Sequence, residues 1–248
     1  MTTNGNSIAV LSDIHGNRWA LEAVMEDIGR RGISTVVNLG DCVYGPLDPA
    51  GTADILIDLN MPAVRGNEDR IITEAALSSP TLDYVREQLI RSHIEFLQSL
   101  QPAGSIDGEI LLFHGTPDDD EEYLFHSVGP DGLRLRTNPE IRRRIDERPE
   151  RLYLCGHDHL PNVVRWKDGK LVVNPGSVGL PAYSDDIPYR HLVENGSPHA
   201  RYCIVGKPGS DWEVEPIAVP YDYESASDMA RRNRREDWAH WLRTGRAN

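Results

Sequence analysis

Five short stretches of this 248-residue chain place side chains that bind divalent cations directly after a run of apolar residues. They carry Asp13 and His15, then Asp41, then Asn67, then His114, and last His157 with His159. Residues two apart on an extended chain point the same way, so Asp13 with His15, and His157 with His159, can each present both side chains to one cavity. Taken singly, an Asp-x-His or a His-x-His is as well explained by a surface loop. Five agreeing strand ends are not. The mixture of carboxylate, imidazole and amide oxygen suits borderline divalent ions such as Mn2+, Fe2+ or Zn2+, and there are enough groups for two ions. A carboxylate shared by cations ~3.5 to 4 Å apart leaves room for a water that is acidified and set in line with a phosphorus atom. The same cations stabilise charge developing on the phosphoryl oxygens, so phosphoester hydrolysis is the chemistry these residues favour.

Such side chains need a scaffold that gathers strand ends. Apolar runs at 8–11, 35–39, 62–64, 109–113 and 151–155 read as strands, each ending just before one of the five stretches. A helix over 17–30, with Trp19, Leu21, Val24, Met25 and Ile28 as its apolar stripe and Gly32 beyond its end, separates the first two. A helix over 81–100 closed by Pro102, and a polar helix over 139–149 started by Pro139, come later. Strand and helix alternating argue a predominantly parallel sheet, whose C-terminal strand ends lie along one edge where ligand sites are expected.

Past residue 160 the character changes. Runs at 162–166 and 170–173 flank Lys167-Asp168-Gly169, a hairpin signal, and runs at 201–205 and 213–219 continue the theme, so this half reads as a second sheet packed on the first. The acidic stretch 117–122 is expected to be a surface loop near the site and 184–198 a polar insertion, together favouring a small substrate. The turn 174–179 is expected to shape the pocket floor through its glycines. From residue 224, Arg231, Arg232, Arg234 and Arg235 precede Trp238, Trp241 and Leu242. An amphipathic helix docked on its own domain or on a sister subunit explains the tryptophans better than a nucleic-acid arm does, and through this tail a homo-oligomer is expected. The chain is read as one domain, 1–248, with 224–248 its helical tail.

Composition bounds these readings. Apolar residues make up 39% and charged residues 26%, an ordinary globular profile. A formal net charge of -13, from 26 basic and 39 acidic residues, disfavours stable binding to nucleic acid or an anionic membrane, although bound cations would invert the field locally. Cys42, Cys155 and Cys203 match neither a zinc quartet nor a redox pair, so reduced core thiols in a cytoplasmic protein are expected. The first seven residues lack a leader's basic and apolar regions and no apolar run reaches membrane-spanning length, so neither secretion nor a membrane anchor is expected. His93 and His126 are read as helix-side or loop histidines, and His191 and His199 are given no chemical role.

Ser12-Asp13-Ile14-His15-Gly16-Asn17, Asn38-Leu39-Gly40-Asp41, Gly66-Asn67-Glu68-Asp69, His114-Gly115 and Gly156-His157-Asp158-His159 resemble the five motif blocks of the calcineurin-like metallophosphoesterases. Asn174-Pro175-Gly176-Ser177-Val178-Gly179 further resembles the small bacterial and archaeal branch of that superfamily, and together the blocks run from residue 8 to about 180. The resemblance implies a four-layer α/β/β/α sandwich of two mixed sheets. It also implies that Asp13, His15, Asp41 and His159 hold one ion and that Asp41, Asn67, His114 and His157 hold the other. The ions would be Mn2+ or Fe2+, with Zn2+ or Ni2+ as alternatives. Asp41, Asn67, Glu68 and His114 form the implied catalytic set, and Asn17 and Asn67 the substrate contacts; for Asn17, capping of the following helix is an equal reading. The implied activity is hydrolysis of a small phosphodiester or nucleotide, such as a dinucleoside polyphosphate, with a broad phosphomonoesterase or a non-catalytic scaffold as alternatives. One departure stands out. The family's third block often has histidine after its asparagine, as a proton donor or phosphate contact, and here Glu68 takes that place. A cation pair would keep its carboxylate ionised, unless it turns away to Arg65 or Arg70.

Overall fold

The computed structural model describes residues 7–74, 76–145 and 148–248, so the expectation about the first residues and the stretch 146–147 of the helix expected over 139–149 lie outside it. Strand β1 (Ile8–Leu11) leads through helix α1 (Arg18–Arg30) to β2 (Thr35–Asn38). Helices α2 (Pro49–Leu59), α3 (Asn67–Thr73), α4 (Pro80–Gln88) and α5 (Arg91–Ser99) follow. The chain continues through β3 (Ala103–Ile106), β4 (Ile110–Phe113), the hairpin of β5 (His126–Gly129) and β6 (Gly132–Leu135), and α6 (Asn138–Ile145). Then come β7 (Leu152–Leu154), β8 (Asn162–Arg165), β9 (Leu171–Asn174), and the hairpin of β10 (Ala182–Asp185) and β11 (His191–Glu194). Strands β12 (Ala200–Gly206) and β13 (Glu213–Val219) and helices α7 (Tyr223–Arg232) and α8 (Glu236–Thr244) close the described chain.

Two mixed sheets face each other, ordered β13-β12-β1-β2 and β3-β4-β7-β9-β8. Strand alternation sorts their side chains into layers. In β1, Ala9 and Leu11 lie against the helices, in a core shared with Leu21, Val24, Leu56 and Val85, while Ile8 and Val10 face the second sheet. The second sheet answers with Ile110, Leu112, Leu154 and Val173 inside, and turns Phe113, Tyr153 and Val172 outward to Ile141 and Ile145 of α6. The result is the α/β/β/α sandwich.

Several elements depart from expectation. Among the described strand pairs of the two sheets, β1 with β2, β4 with β7 and β7 with β9 are parallel and the others antiparallel, so the sheets are mixed rather than predominantly parallel. The sheets are also not divided at residue 160. Strands β12 and β13 join the first sheet, β12 lying antiparallel to β1 in the register Ile8 to Val205, whereas β3, β4 and β7 belong to the second. Alternation shows that a strand has two faces without showing which edge accepts it. The helix expected over 81–100 is two helices, broken where Leu89 and Ile90 are extended. A five-residue step from Leu89 to Ile94 would set their stripes about 140° out of phase on one helix. The run at 62–64 forms only single bridges, Asn38 to Ala63 and Val64 to Gln101. Part of the insertion 184–198 is the β10–β11 hairpin.

The tail is two helices. Trp238, Trp241 and Leu242 are buried with Ala226 and Ala230 against Leu47, Leu180 and Ala182 of the same chain, so the tryptophans are not available to anchor a sister subunit. All three cysteines are free and buried, as expected. No helix among the described residues is long and apolar enough to cross a membrane.

Candidate metal centre

The loops leaving the parallel strand pairs are laced together. Asp13 N–H donates to Gly40 O (3.0 Å), His15 N–H to Asp41 O (2.9 Å) and Gly156 N–H to His114 O (2.8 Å). The residues of these loops are not extended: Asp13, His15, Asp41, His157 and His159 have φ of 55, 53, 54, 73 and 57°. Left-handed backbone turns the chain within one residue, so the pairs converge by strained turns rather than by the alternation of an extended strand. This also separates partners that alternation would have kept together. Asp13, His15 and His159 form one group of ligand atoms, and Asp41, His114 and His157 another, each within 4.8 Å.

Each imidazole is held from outside by a backbone carbonyl. His15 Nδ1–H donates to Tyr44 O (3.0 Å), His114 Nδ1–H to Leu39 O (2.8 Å), His157 Nε2–H to Glu121 O (2.9 Å) and His159 Nδ1–H to Leu180 O (2.8 Å). That fixes the tautomers and aims the other ring nitrogen inward, the arrangement in which histidine binds a cation. The inward atoms then meet acceptor to acceptor: His15 Nε2 lies 3.0 Å from His159 Nε2, and His114 Nε2 lies 3.0 Å from Asn67 Oδ1 and 3.2 Å from Asp41 Oδ2. Lone pairs facing at such distances require a proton or a metal ion between them. Asp41 Oδ2 also stands 4.0 Å from His15 Nε2, and Asp13 Oδ1 stands 3.5 Å from His159 Nε2 and 3.9 Å from His114 Nε2, so both carboxylates lie between the groups.

Proton affinities follow this geometry. Burial works to lower His15 and His114, but Glu68 and Asp41 for the first, and Asp41 and Asp13 for the second, outweigh it and raise them to about 9 and about 10. Burial lowers His157 to about 4, assisted by the charge of His114, and lowers His159 well below the ordinary histidine value, assisted by His15. Burial acts to raise Asp41, yet His114 and His15 hold it well below the usual carboxylate range; burial lifts Asp13 to about 6. The buried carboxylates thus demand positive charge at His15 and His114, which a bound cation would supply in place of protons. The donor set fits divalent metal ions.

Glu68 faces this centre. Its Oε2 is 3.0 Å from His15 Nδ1 and lacks a well-formed hydrogen bond, while Arg70 is engaged by Asp120 and Glu121, so the carboxylate has not turned away to that arginine. Burial pushes the Glu68 carboxyl up to about 7 against the attraction of His15, so its full ionisation depends on added cations. Asn17 corrects the expected phosphate contact. It is fully buried, its Oδ1 caps α1 at Ala20 N–H (3.2 Å), and its Nδ2–H groups donate to Gly179 O (2.8 Å) and Tyr221 Oη (3.0 Å), leaving nothing for a substrate. The turn 174–179 does not line the cleft, as a pocket floor would; it braces the Asp13 loop from behind, where Gly179 N–H and Ser177 Oγ–H both donate to Asp13 O and a Cβ on Gly179 would lie 1.7 Å from Ile14 O.

Six contributors, in three groups, fall outside the residues expected at the site. Buried Asp69 accepts from Asp41 N–H (2.9 Å), Cys42 N–H (2.9 Å) and Gly66 N–H (3.0 Å), tying two of the ligand loops together. Its place in a block with Asn67 was the available signal. Tyr123 and Tyr183, joined at 2.6 Å through their hydroxyls, flank His157 and His159. Arg235, Trp238 and Trp241 from the tail line the same cleft of about 250 Å³. Of the other histidines, His126 pairs with Asp158 (2.7 Å) and His93 with Asp54 (2.9 Å), outside the centre; His191, which was given no role, is buried and 3.1 Å from Tyr123 Oη.

Fold and site together define a metal-dependent phosphoester hydrolase. Residues 7–193 match the calcineurin-like phosphoesterase superfamily domain, and the chain belongs to that superfamily. It is 29% identical over 261 residues to the uncharacterized protein MJ0912 of Methanocaldococcus jannaschii, covering 93% of this chain and 94% of that one. It is 26% identical over 191 residues to phosphodiesterase YfcE of Escherichia coli, covering 73% and 84%. A solved metallophosphoesterase from Sphaerobacter thermophilus shares the fold with a TM-score of 0.74 at 24% identity, covering 98% of this chain and 100% of that one.

Proposed function

We propose that the chain is a dinuclear phosphoesterase acting on a small phosphodiester or nucleotide. The observation that carries this reading is the set of four imidazoles, each anchored outward on a carbonyl and facing two carboxylates inward. In this reading Asp13, His15, Asp41 and His159 hold one cation and Asp41, Asn67, His114 and His157 the other, with Mn2+ or Fe2+ preferred by the mixed oxygen and nitrogen set. Two bound cations supply the acidity that makes water a nucleophile at neutral pH and neutralise charge on the phosphoryl group. The protein's part is to hold Asp41 between the groups, to orient each imidazole, and to place Asn67 and Glu68 at the cleft. A phosphomonoester dianion approaching ionised Glu68 meets like charge, whereas a diester carries one negative charge and suffers less. The cleft of about 250 Å³ and the phosphodiesterase relative both support a small diester.

The test joins elemental analysis of protein purified without chelator to a screen of monoesters, diesters, cyclic nucleotides and dinucleoside polyphosphates with Mn2+. Two ions per chain and preferential turnover of diesters or anhydride-linked nucleotides are expected. Fewer than about one ion per chain, with no activity gained on adding Mn2+, would sink the enzyme reading.

A further inference from the structure

One wall of the cleft comes from the C-terminal helices, beyond the residues 7–193 that match the superfamily. Arg235, immediately before α8, lines the cleft with Trp238 and Trp241. Their placement is determined by packing. The Trp238 ring stands edge-on to His15, with centroids 6.0 Å apart, and Gly45 makes room for it, since a Cβ there would lie 2.9 Å from the indole. The Arg235 guanidinium sits 5.6 Å from the Trp238 ring centroid. It donates through Nε and Nη2 to Asp237 at 2.9 and 2.7 Å, and through Nη1 to Thr81.

A guanidinium has five N–H groups, and these three bonds leave two. Among the described residues lining the cleft, Arg235 is the one Lys or Arg, in company with the carboxylates of Asp41, Glu68 and Asp185. The reacting phosphoryl group already has a centre built for it. A preorganised guanidinium elsewhere on the wall is suited to a second anionic group, and charge-assisted pairing with phosphate is what its planar fork does best. Tyr44 and Trp241 line the cleft as well, giving a flat apolar group aromatic surface to lie against.

We infer that Arg235 is a specificity-determining residue that binds a non-reacting phosphate, and that the substrate is a nucleotide with two or more linked phosphates. The inference rests on the phosphoesterase reading for the reacting end of the substrate. Binding separates the two ideas from each other. Calorimetry with Mn2+ present would compare methylene-bridged adenosine diphosphate, which resists hydrolysis between its phosphates, with phenylphosphonate, which offers a single anionic group.

Arg235→Gln should raise Kd for the adenosine analogue at least ~10-fold, about 1.4 kcal/mol, and for phenylphosphonate less than ~3-fold. Arg232→Gln, an exposed change on α7, should alter neither, and metal content should be equal in all three proteins. Equal effects on both ligands, no effect on either, or a parent protein that does not bind the adenosine analogue would each overturn the role of Arg235. Hydrolysis of bis(p-nitrophenyl) phosphate by the parent is read separately. Its absence alongside the expected binding pattern would count against the hydrolase and leave the anion site standing.

Discussion

Asp69→Asn should weaken metal binding while costing little global stability. The carboxylate accepts three backbone N–H groups, two on Oδ2 from Asp41 and Gly66 and one on Oδ1 from Cys42. An asparagine has one oxygen. Turned toward the pair, it leaves Cys42 N–H facing an amide NH2, an unsatisfied buried donor worth about 1–3 kcal/mol, and makes two charge-assisted bonds neutral at about 1 kcal/mol each. The gross loss is then about 3–5 kcal/mol. Against it stands the cost of the buried charge: burial, with repulsion from Asp41, lifts the Asp69 carboxyl from 3.8 to about 6. The folded value lies above the unfolded one, so ionising Asp69 near pH 7 opposes folding, a cost that asparagine does not incur. The two oppose each other, so the net destabilisation falls below the gross loss. Metal binding has no such compensation, because the Asp41 loop loses its anchor, and an outer-shell change of this kind costs about 10- to 100-fold in affinity. Urea unfolding of the metal-free protein and Mn2+ titration read the two effects independently. A loss above ~4 kcal/mol with Mn2+ affinity unchanged would show that Asp69 is a core staple and not an orienting residue.

Asp41→Asn should lower activity at least ~10²-fold under saturating Mn2+ with the fold retained, since it weakens a carboxylate that lies between both groups, 3.2 Å from His114 Nε2 and 4.0 Å from His15 Nε2; activity within threefold of the parent would refute the bridging role. His157→Ala and His159→Ala should each keep one ion and lose the other, because the two imidazoles belong to different groups; elemental analysis finding two ions in both variants would rule this out. Glu68→His should help an alkyl monoester most, by at least ~10-fold in kcat/KM relative to an aryl diester, since it removes like charge and adds a proton donor. Equal changes for an alkyl monoester, an aryl monoester and an aryl diester, at constant metal content, would show that residue 68 controls neither.

Much of the centre could be read from the chain because its ligands follow apolar strands at β1, β2, β4 and β7, and such strands are the strongest periodic signal a sequence holds. What could not be read is what depends on distant partners. Whether β12 pairs with β1 or with a second sheet is decided by which edge is free, and alternation is identical in both cases. Asn17 is ambiguous locally, because an asparagine before a helix both caps it and resembles a phosphate ligand; Gly179 and Tyr221, far along the chain, decide the matter by taking both N–H groups. The β5–β6 hairpin, by contrast, has a local turn signal in Gly129-Pro130-Asp131-Gly132. Arg235 read as part of a basic run because nothing local reveals that Trp238 fits over Gly45 and carries it to the cleft.

The backbone strain at the centre bears on how it is held ready. Left-handed conformation costs most residues with a side chain about 1–2 kcal/mol, less for an Asp, and Asp13, His15, Asp41, His157 and His159 all adopt it. Loops bearing such strain would relax if their cations alone held them. The opposing bonds are internal to the protein: Asp13 N–H to Gly40 O, Ser177 and Gly179 to Asp13 O, Asp41 N–H to Asp69, and His157 N–H to the Asp13 carboxylate at 3.2 Å. Each joins a ligand loop to a different segment, so no single loop can relax without breaking contacts with another. The candidate ligand positions are therefore held by the protein's own bonds, and in the proposed reading the energy of binding a cation need not be spent on ordering them.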